Sequence, residues 1–468
     1  MKKLVLWMLA MVAILTTGAQ EITGSWYGAL DLNGTKLRIT FHIEKGDAGY
    51  SSKMDSPDQN AFGIPVDSTL FATPTLTLKM KALMAEYTGK LEGETLKGTF
   101  RQMGMNMPLD LKRTPLEKAA VVRPQEPKAP YPYKVEDVKF RNEKDQITLA
   151  GTLTLPEGNG PFAAVVMISG SGAQNRDEEI MGHKPFWIIA DHLTRAGIAV
   201  LRFDDRGTAE SEGNHAQATS ADFATDALAA VTYLKTRKEI EPKYIGLAGH
   251  SEGGVIAPMA AVRSDDVKFI VLLAGTGIPG DELLMLQAEL ISRASGMSDE
   301  NVKQAMAFNR RLYDVVRSDA SNDEKLASAR SILEEAVDHS FKAGTLPPET
   351  PREQFINAQA MQLLSPWMQY FIRHDPAPVL EKVKVPVLAL NGEKDLQVPP
   401  KENLSAIKAA LERGGNKQFT IVELPSLNHL FQECETGLPA EYGMIEQTFA
   451  PAALDQMVQW ILKITHQK

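Results

Sequence analysis

A serine stands between two glycines in Gly249-His250-Ser251-Glu252-Gly253, where an apolar run at 244–248 gives way to a run of small residues. A serine hydroxyl is a poor nucleophile until a base removes its proton, so Ser251 does chemistry only if a histidine and a carboxylate are trained on it. The flanking glycines have a steric purpose. A sharp turn forces Ser251 into a strained backbone, and only glycine at 249 and 253 lets neighbouring main chain pass close by. Strand, sharp turn and helix are the context that Gly-x-Ser-x-Gly demands. The bland alternative is a serine in a tight turn, since 34 glycines in 468 residues make a bare match common by chance.

A serine on such a turn is followed in the chain by an acid and then a histidine, each past the end of a later strand. The apolar run 385–390 leads into Asn-Gly-Glu-Lys-Asp, which puts Asp395 beyond its carboxyl end; the run 419–424 leads into Pro-Ser-Leu-Asn-His, which puts His429 in the equivalent place. Glu393 competes with Asp395 but sits within the turn. His250 adjoins the serine, yet neighbouring side chains in a sharp turn point apart, so it packs beneath the elbow. His183, His192, His215, His339 and His374 have no matching strand end and read as solvated or satisfied histidines. The developing oxyanion needs two amides: Glu252, directly after the serine at a helix start, and Ser171 in the Ser-Gly-Ser-Gly loop after the run 163–168, with Gly172 as the adjacent alternative. A phosphate cradle in that loop is disfavoured, because no Gly-Lys-Ser/Thr follows and the spacing is not Gly-x-Gly-x-x-Gly. The charges of Arg202 to Ser211 read as a structural network bracing the loop beside the elbow.

The elements that must position these groups follow from periodicity. From Glu21 to about Arg113 the chain alternates: Leu37, Ile39, Phe41 and Ile43 against Arg38, Thr40, His42 and Glu44, and Leu76, Leu78 and Met80 against Thr77 and Lys79. This predicts a small antiparallel β domain, barrel or sandwich, over 20–113, with a hairpin about Gly93, a long turn-rich connection at 54–63 and His42 on the wet face. Residues 114–134, rich in proline, predict a semi-extended linker. Beyond it, fully apolar runs at 163–168, 198–203, 244–248, 269–273, 385–390 and 419–424 read as buried parallel strands. Helical patterns at 186–196, at 223–237 with Ser220 as the cap candidate, and at 401–413 stopped by Gly414 lie between them. The order predicts a doubly wound α/β domain over 135–468. The roughly 110 residues between the fourth and fifth runs exceed what a compact connection needs, and predict a helical cap over about 276–384.

The first residues read as an address: Lys2 and Lys3, twelve apolar residues at 4–15, then Thr17-Gly18-Ala19. This predicts a signal peptide over 1–19 and export to the periplasm or the medium; the apolar run is short of the ~20 residues of a membrane span. Removing the two leader lysines takes the formal charge from −9 to −11, without a basic block, which gives no support to nucleic-acid binding. A single cysteine, Cys434, rules out an intramolecular disulfide.

The residues resemble the α/β-hydrolase superfamily, and within it bacterial exported esterases and serine aminopeptidase-like hydrolases that carry a small β domain ahead of the catalytic one. The stretches that carry the likeness are "ISGSGAQNRDE", "GHKPF", "GIAVLRFDDRG", "SADFATDALAAVTYLKTR", "IGLAGHSEGG", "NGEKDLQVP" and "LNHLFQ", with "GSWYG" and "GIPVDS" extending it forward. The resemblance implies a triad of Ser251, Asp395 and His429 and oxyanion amides at Ser171 and Glu252. One position departs from the family's Asp-x-Arg-Gly-x-Gly-x-Ser: Ala209 replaces the second glycine. The expected activity is hydrolysis of small-molecule carboxylic esters through an acyl-enzyme, with no metal or organic cofactor. Two alternatives stand beside it: an aminopeptidase or amidase on the same triad, and a non-catalytic glycan- or lipid-binding protein. The sequence leaves the oligomeric state open.

Overall fold

In the computed structural model, the alternating stretches at the front of the chain are strands of one antiparallel sheet. Residues 22–465 are described, except 33–34, 48, 58–60, 103–104, 117–122, 343–345 and 347–349; the expected signal peptide lies outside them. Two compact units divide the chain. The first runs to Ala119 and takes in Leu346–Pro351; the second is Ala120–Thr345 with Arg352–Lys468.

The strands of the first unit are β1 (Gly24–Leu32), β2 (Thr35–Gly46), β3 (Gly49–Ser56), β4 (Ala61–Val66), β5 (Ser68–Ala72), β6 (Thr75–Met80), β7 (Ala85–Glu92), β8 (Thr95–Gln102), β9 (Met105–Pro108) and β10 (Leu111–Lys112). They pair in the order β4-β3-β2-β1-β10-β8-β7-β6-β5, with β9 on β8. The sheet curls until its ends meet: Thr69 on β5 donates to Ser52 Oγ on β3 at 2.9 Å. The result is a nearly closed barrel filled by Trp26, Phe41, Tyr87 and Phe100. The stretch 54–63 is less of a connection than its turn residues imply. Met54 pairs with Ile64 and Ser56 with Ala61, because Met54 and Ser56 still point inward with period two.

In the second unit the strands are β11 (Lys134–Asn142), β12 (Ile147–Leu155), β13 (Phe162–Ile168), β14 (Ala199–Phe203), β15 (Ile240–His250), β16 (Phe269–Leu273), β17 (Val387–Gly392) and β18 (Phe419–Leu424). Their order is β11-β12-β14-β13-β15-β16-β17-β18, antiparallel from β11 to β14 and parallel from there on. The hairpin β11–β12 is absent from the reading of buried apolar runs, since β11 alternates and holds the wet edge. Helices α1 (Pro185–Arg195), α2 (Ser220–Lys235) and α3 (Gly253–Ala261) follow β13, β14 and β15. Between β16 and β17 come α4 (Gly280–Ala294), α5 (Asp299–Arg317), α6 (Asn322–Lys342), α7 (Arg352–Leu363), α8 (Pro366–Arg373) and the short α9 (Ala377–Leu380); α10 (Pro400–Arg413) and α11 (Pro451–Thr465) complete the unit. One face of the sheet packs on α2, α3 and α10, the other on α1 and α11. The cap helices α5 to α8 share a core of their own around Val316, Ile332, Val337 and Ile356.

Two local readings are corrected. The cap of α2 is Thr219, which exchanges hydrogen bonds with Asp222 at its third position; Ser220 is already helical, and its hydroxyl is used elsewhere. The proline-rich stretch is not free over its second half. Arg123 is buried and donates to the carbonyls of Ile445, Met181 and Gly443, and Gln125 accepts the amides of Thr448 and Phe449. A guanidinium with several carbonyl acceptors outweighs the weak order that proline alone imposes. Among the described residues no helix is long and apolar enough to cross a membrane.

Candidate active site

His250 ends β15, and the chain reverses at Ser251 with φ of +52° before entering α3. That is left-handed backbone, which a residue with a Cβ adopts only where its surroundings hold it. Close approach explains the glycines: a Cβ on Gly249 would collide with the Gly253 carbonyl, and one on Gly253 with the carbonyl of Ile168 at the end of β13.

Asp395 lies three residues past the end of β17, and His429 five past the end of β18. Asp395 Oδ2 is 2.7 Å from His429 Nδ1, and Oδ1 accepts the amides of Gln397 and Val398 at 2.8 Å each. Both residues are buried, so the carboxylate has one orientation and the ring one partner at Nδ1. Ser251 and His429 face one cavity of about 240 Å³. The cap supplies part of its wall through Leu283 and Leu284 of α4 and Trp367 and Phe371 of α8. A larger hollow of about 870 Å³ around Cys434 and Met444 holds none of these groups.

The two residues expected to supply the oxyanion amides line the same cavity. Glu252 opens α3 and Ser171 lies on the facing loop, and both line the space. Gly172, the adjacent alternative, has φ of +101°. The Gly170 amide is unavailable, donating to Glu178 Oε1 at 2.6 Å.

Several contacts lay beyond sequence reasoning. The Glu252 carboxyl is buried and accepts from Ser220 Oγ at 2.6 Å and from Trp367 Nε1 of the cap at 2.8 Å. Burial pushes this carboxyl above its usual range, against the pull of Ser220, Trp367 and Ser171. His250 packs beneath the turn as expected, but between two partners, Glu178 Oε1 at 3.0 Å and the His429 carbonyl at 2.9 Å. Nothing in the local pattern marks Glu178, which lies 72 residues before its partner.

The charges after β14 form a brace. Arg206 binds Asp226 and Asp145 at 2.7 Å each, Arg176 binds Asp204 at 2.6 Å and Glu210 at 2.7 Å, and Asp205 accepts the Gln174 amide at 3.0 Å. Ala209 has φ of +47°, the left-handed conformation that the family's glycine enters freely. Glu393, the rival acid, accepts the Ser426 amide at 2.8 Å. His183 is buried between Thr448 and the Tyr442 carbonyl, and burial pushes it down to about 4, so it is neutral and structural.

A model of the alpha/beta hydrolase fold matches residues 163–431. Esterase EstD of Thermotoga maritima is 30% identical over 317 residues, 67% of this chain and 66% of that protein, so the chain spans just under two thirds of that relative's length. Thiohydrolase aneE of Aspergillus aculeatus is 38% identical over 128 residues, 27% of this chain and 37% of that one. Among solved structures, the alpha/beta hydrolase GrgF from Penicillium sp. sh18 aligns with TM-score 0.43 and 18% identity, over 70% of this chain and 98% of its own; a score of that size adds nothing to the assignment.

Proposed function

The chain belongs to the α/β-hydrolase family, and on that premise we propose that it is an exported serine hydrolase that cleaves small carboxylic esters through an acyl-enzyme. One observation carries the reading: a serine in left-handed backbone shares a cavity with a buried histidine whose far nitrogen is held by a buried carboxylate at 2.7 Å. In this mechanism Ser251 attacks the ester carbonyl while His429 takes its proton and returns it to the leaving alcohol. Asp395 holds the imidazole in the tautomer that leaves Nε2 free to accept. The amides of Glu252 and Ser171 receive the oxyanion, and water then deacylates Ser251 by the same route.

Esters are preferred to aminoacyl amides on the likeness to esterase EstD. Export rests on the leader-like pattern of residues 1–19. The test is Ser251→Ala against a panel of short p-nitrophenyl esters and aminoacyl amides, with fluorophosphonate labelling of the wild type. Loss of esterase activity with the fold intact is expected; undiminished hydrolysis, or labelling elsewhere than Ser251, would sink the proposal.

A further inference from the structure

Behind the serine lie a carboxylate and an imidazole that the chemistry above does not use. Glu178 and His250 are both buried. His250 Nε2 is 2.9 Å from the carbonyl oxygen of His429; a carbonyl only accepts, so Nε2 carries a proton. His250 Nδ1 is 3.0 Å from Glu178 Oε1, and that same oxygen accepts the Gly170 amide at 2.6 Å. The Gly170 amide fixes that oxygen as an acceptor; an ionised Glu178 takes a second N–H there from Nδ1 and leaves the ring cationic, whereas a protonated Glu178 would put its own proton on the oxygen that already receives the amide.

We propose that Glu178 and His250 form a buried carboxylate–imidazolium pair that positions the reacting groups, tying the loop that carries the Ser171 amide to the elbow at Ser251 and to the main chain of His429. The proposal rests on the reading of Ser251, Asp395 and His429 as the triad. Each end of the pair reaches a residue beside a group that must be placed: Glu178 holds the amide of Gly170, which precedes Ser171, and His250 itself precedes Ser251. The His250 and His429 rings lie against one another with centroids 4.8 Å apart. Glu178 itself has φ of +51°, a conformation that persists only where surroundings over-determine it.

The electrostatic setting favours a cation here. Among the described residues no lysine or arginine lines the cavity. The charge of Asp395 favours the protonated ring, while the Asp205 carboxyl is pushed well above its usual range by burial, with Glu178 adding to the rise. From α1, β16 and the segments that follow β18, the groups packed around the pair are apolar: Phe186, Ile189, Leu273, Leu430 and Phe449, with Phe431 against the ring. Burial opposes the charge on His250, but the Glu178 carboxylate, the His429 carbonyl and Asp395 outweigh it and the ring titrates above its usual value. In this proposal the pair acts through its neighbours.

The experiment is histidine-selective ¹⁵N NMR of the full chain at pH 8, together with steady-state kinetics of Glu178→Gln. The expected spectrum holds one imidazolium with both ring nitrogens protonated, assigned by its disappearance in His250→Gln. Glu178→Gln is expected to lose that signature and to lower kcat by about 10- to 100-fold with KM within about twofold, as for a small misplacement of reacting groups. A neutral His250 in the wild type overturns the proposal, as does a Glu178→Gln variant whose kcat stays within twofold; should that variant fail to fold, the wild-type spectrum decides alone. The NMR readout does not pass through hydrolysis. Ser251→Ala retaining activity defeats the reading of the site, whereas a neutral His250 in an enzyme that needs Ser251 defeats only this inference.

Discussion

Asp395→Asn tests the candidate triad at the point where the structure constrains it most. In the native chain Oδ1 accepts two backbone amides, from Gln397 and Val398 at 2.8 Å each, while Oδ2 meets His429 Nδ1 at 2.7 Å. An asparagine keeps the shape but has only one acceptor oxygen. If that oxygen turned toward His429, the buried Val398 N–H and the part-buried Gln397 N–H would face the NH₂; at about 1–3 kcal/mol for an unsatisfied buried donor and less for the other, this arrangement is disfavoured by roughly 2–4 kcal/mol. The alternative loses only one orientation of the imidazole bond. The oxygen therefore stays with the two amides, the NH₂ faces Nδ1, and His429 is driven into the tautomer with its proton on Nε2. A ring protonated there cannot accept the serine proton. Reversal of this kind lowers turnover by about 10,000-fold, or roughly 5 kcal/mol of transition-state stabilisation. The assay is kcat for p-nitrophenyl acetate, with the thermal midpoint as a control for folding. A folded variant that keeps more than about one tenth of wild-type kcat would refute the reasoning.

Three other perturbations bear on the elbow and the cap. Glu252→Gln keeps an acceptor for Ser220 and Trp367 but cannot ionise. Because burial raises the native carboxyl above its ordinary 4.5, the stability that goes with its protonated form is complete below that value and is lost as pH rises through the raised one. The glutamine variant should therefore melt a few degrees above wild type at pH 8 and level with it at pH 4; a lower midpoint at pH 8 would contradict this. Gly253→Ala puts a Cβ into the Ile168 carbonyl, and differential scanning calorimetry should show a loss of about 1–3 kcal/mol, with kcat/KM down about 100-fold; wild-type values for both would mean that the elbow tolerates a side chain. Trp367→Phe removes the cap's donor to Glu252 while keeping most of the apolar wall, and should cost about 1–3 kcal/mol of stability by denaturant titration, with an altered KM profile across acyl chain lengths. An unchanged profile would take the cap residue out of substrate selection.

Much of the fold was legible because it is written in local periodicity. Fully apolar runs marked the parallel strands, and alternation marked the barrel strands; the β11–β12 hairpin escaped because an edge strand with one wet face resembles neither a buried run nor, beside a proline-rich stretch, a continuing domain. Ser220 was the natural cap by type, but Thr219 has the extended backbone of a cap and an aspartate three residues on. Ala209 in left-handed backbone shows the same limit: its conformation is imposed by the loop around it.

The sequence alone determined where Ser251, Asp395 and His429 stand, because a strand end, a glycine-permitted turn and the chain order of strands are properties of neighbouring residues. Tertiary structure decided what surrounds them. Glu178 meets His250 across 72 residues and Glu252 meets Trp367 across 115, and those meetings depend on which loops the strand order β14-β13-β15-β16-β17-β18 sets side by side. A hydrogen bond is made by proximity in space, and the chain records proximity only where it is also near in sequence.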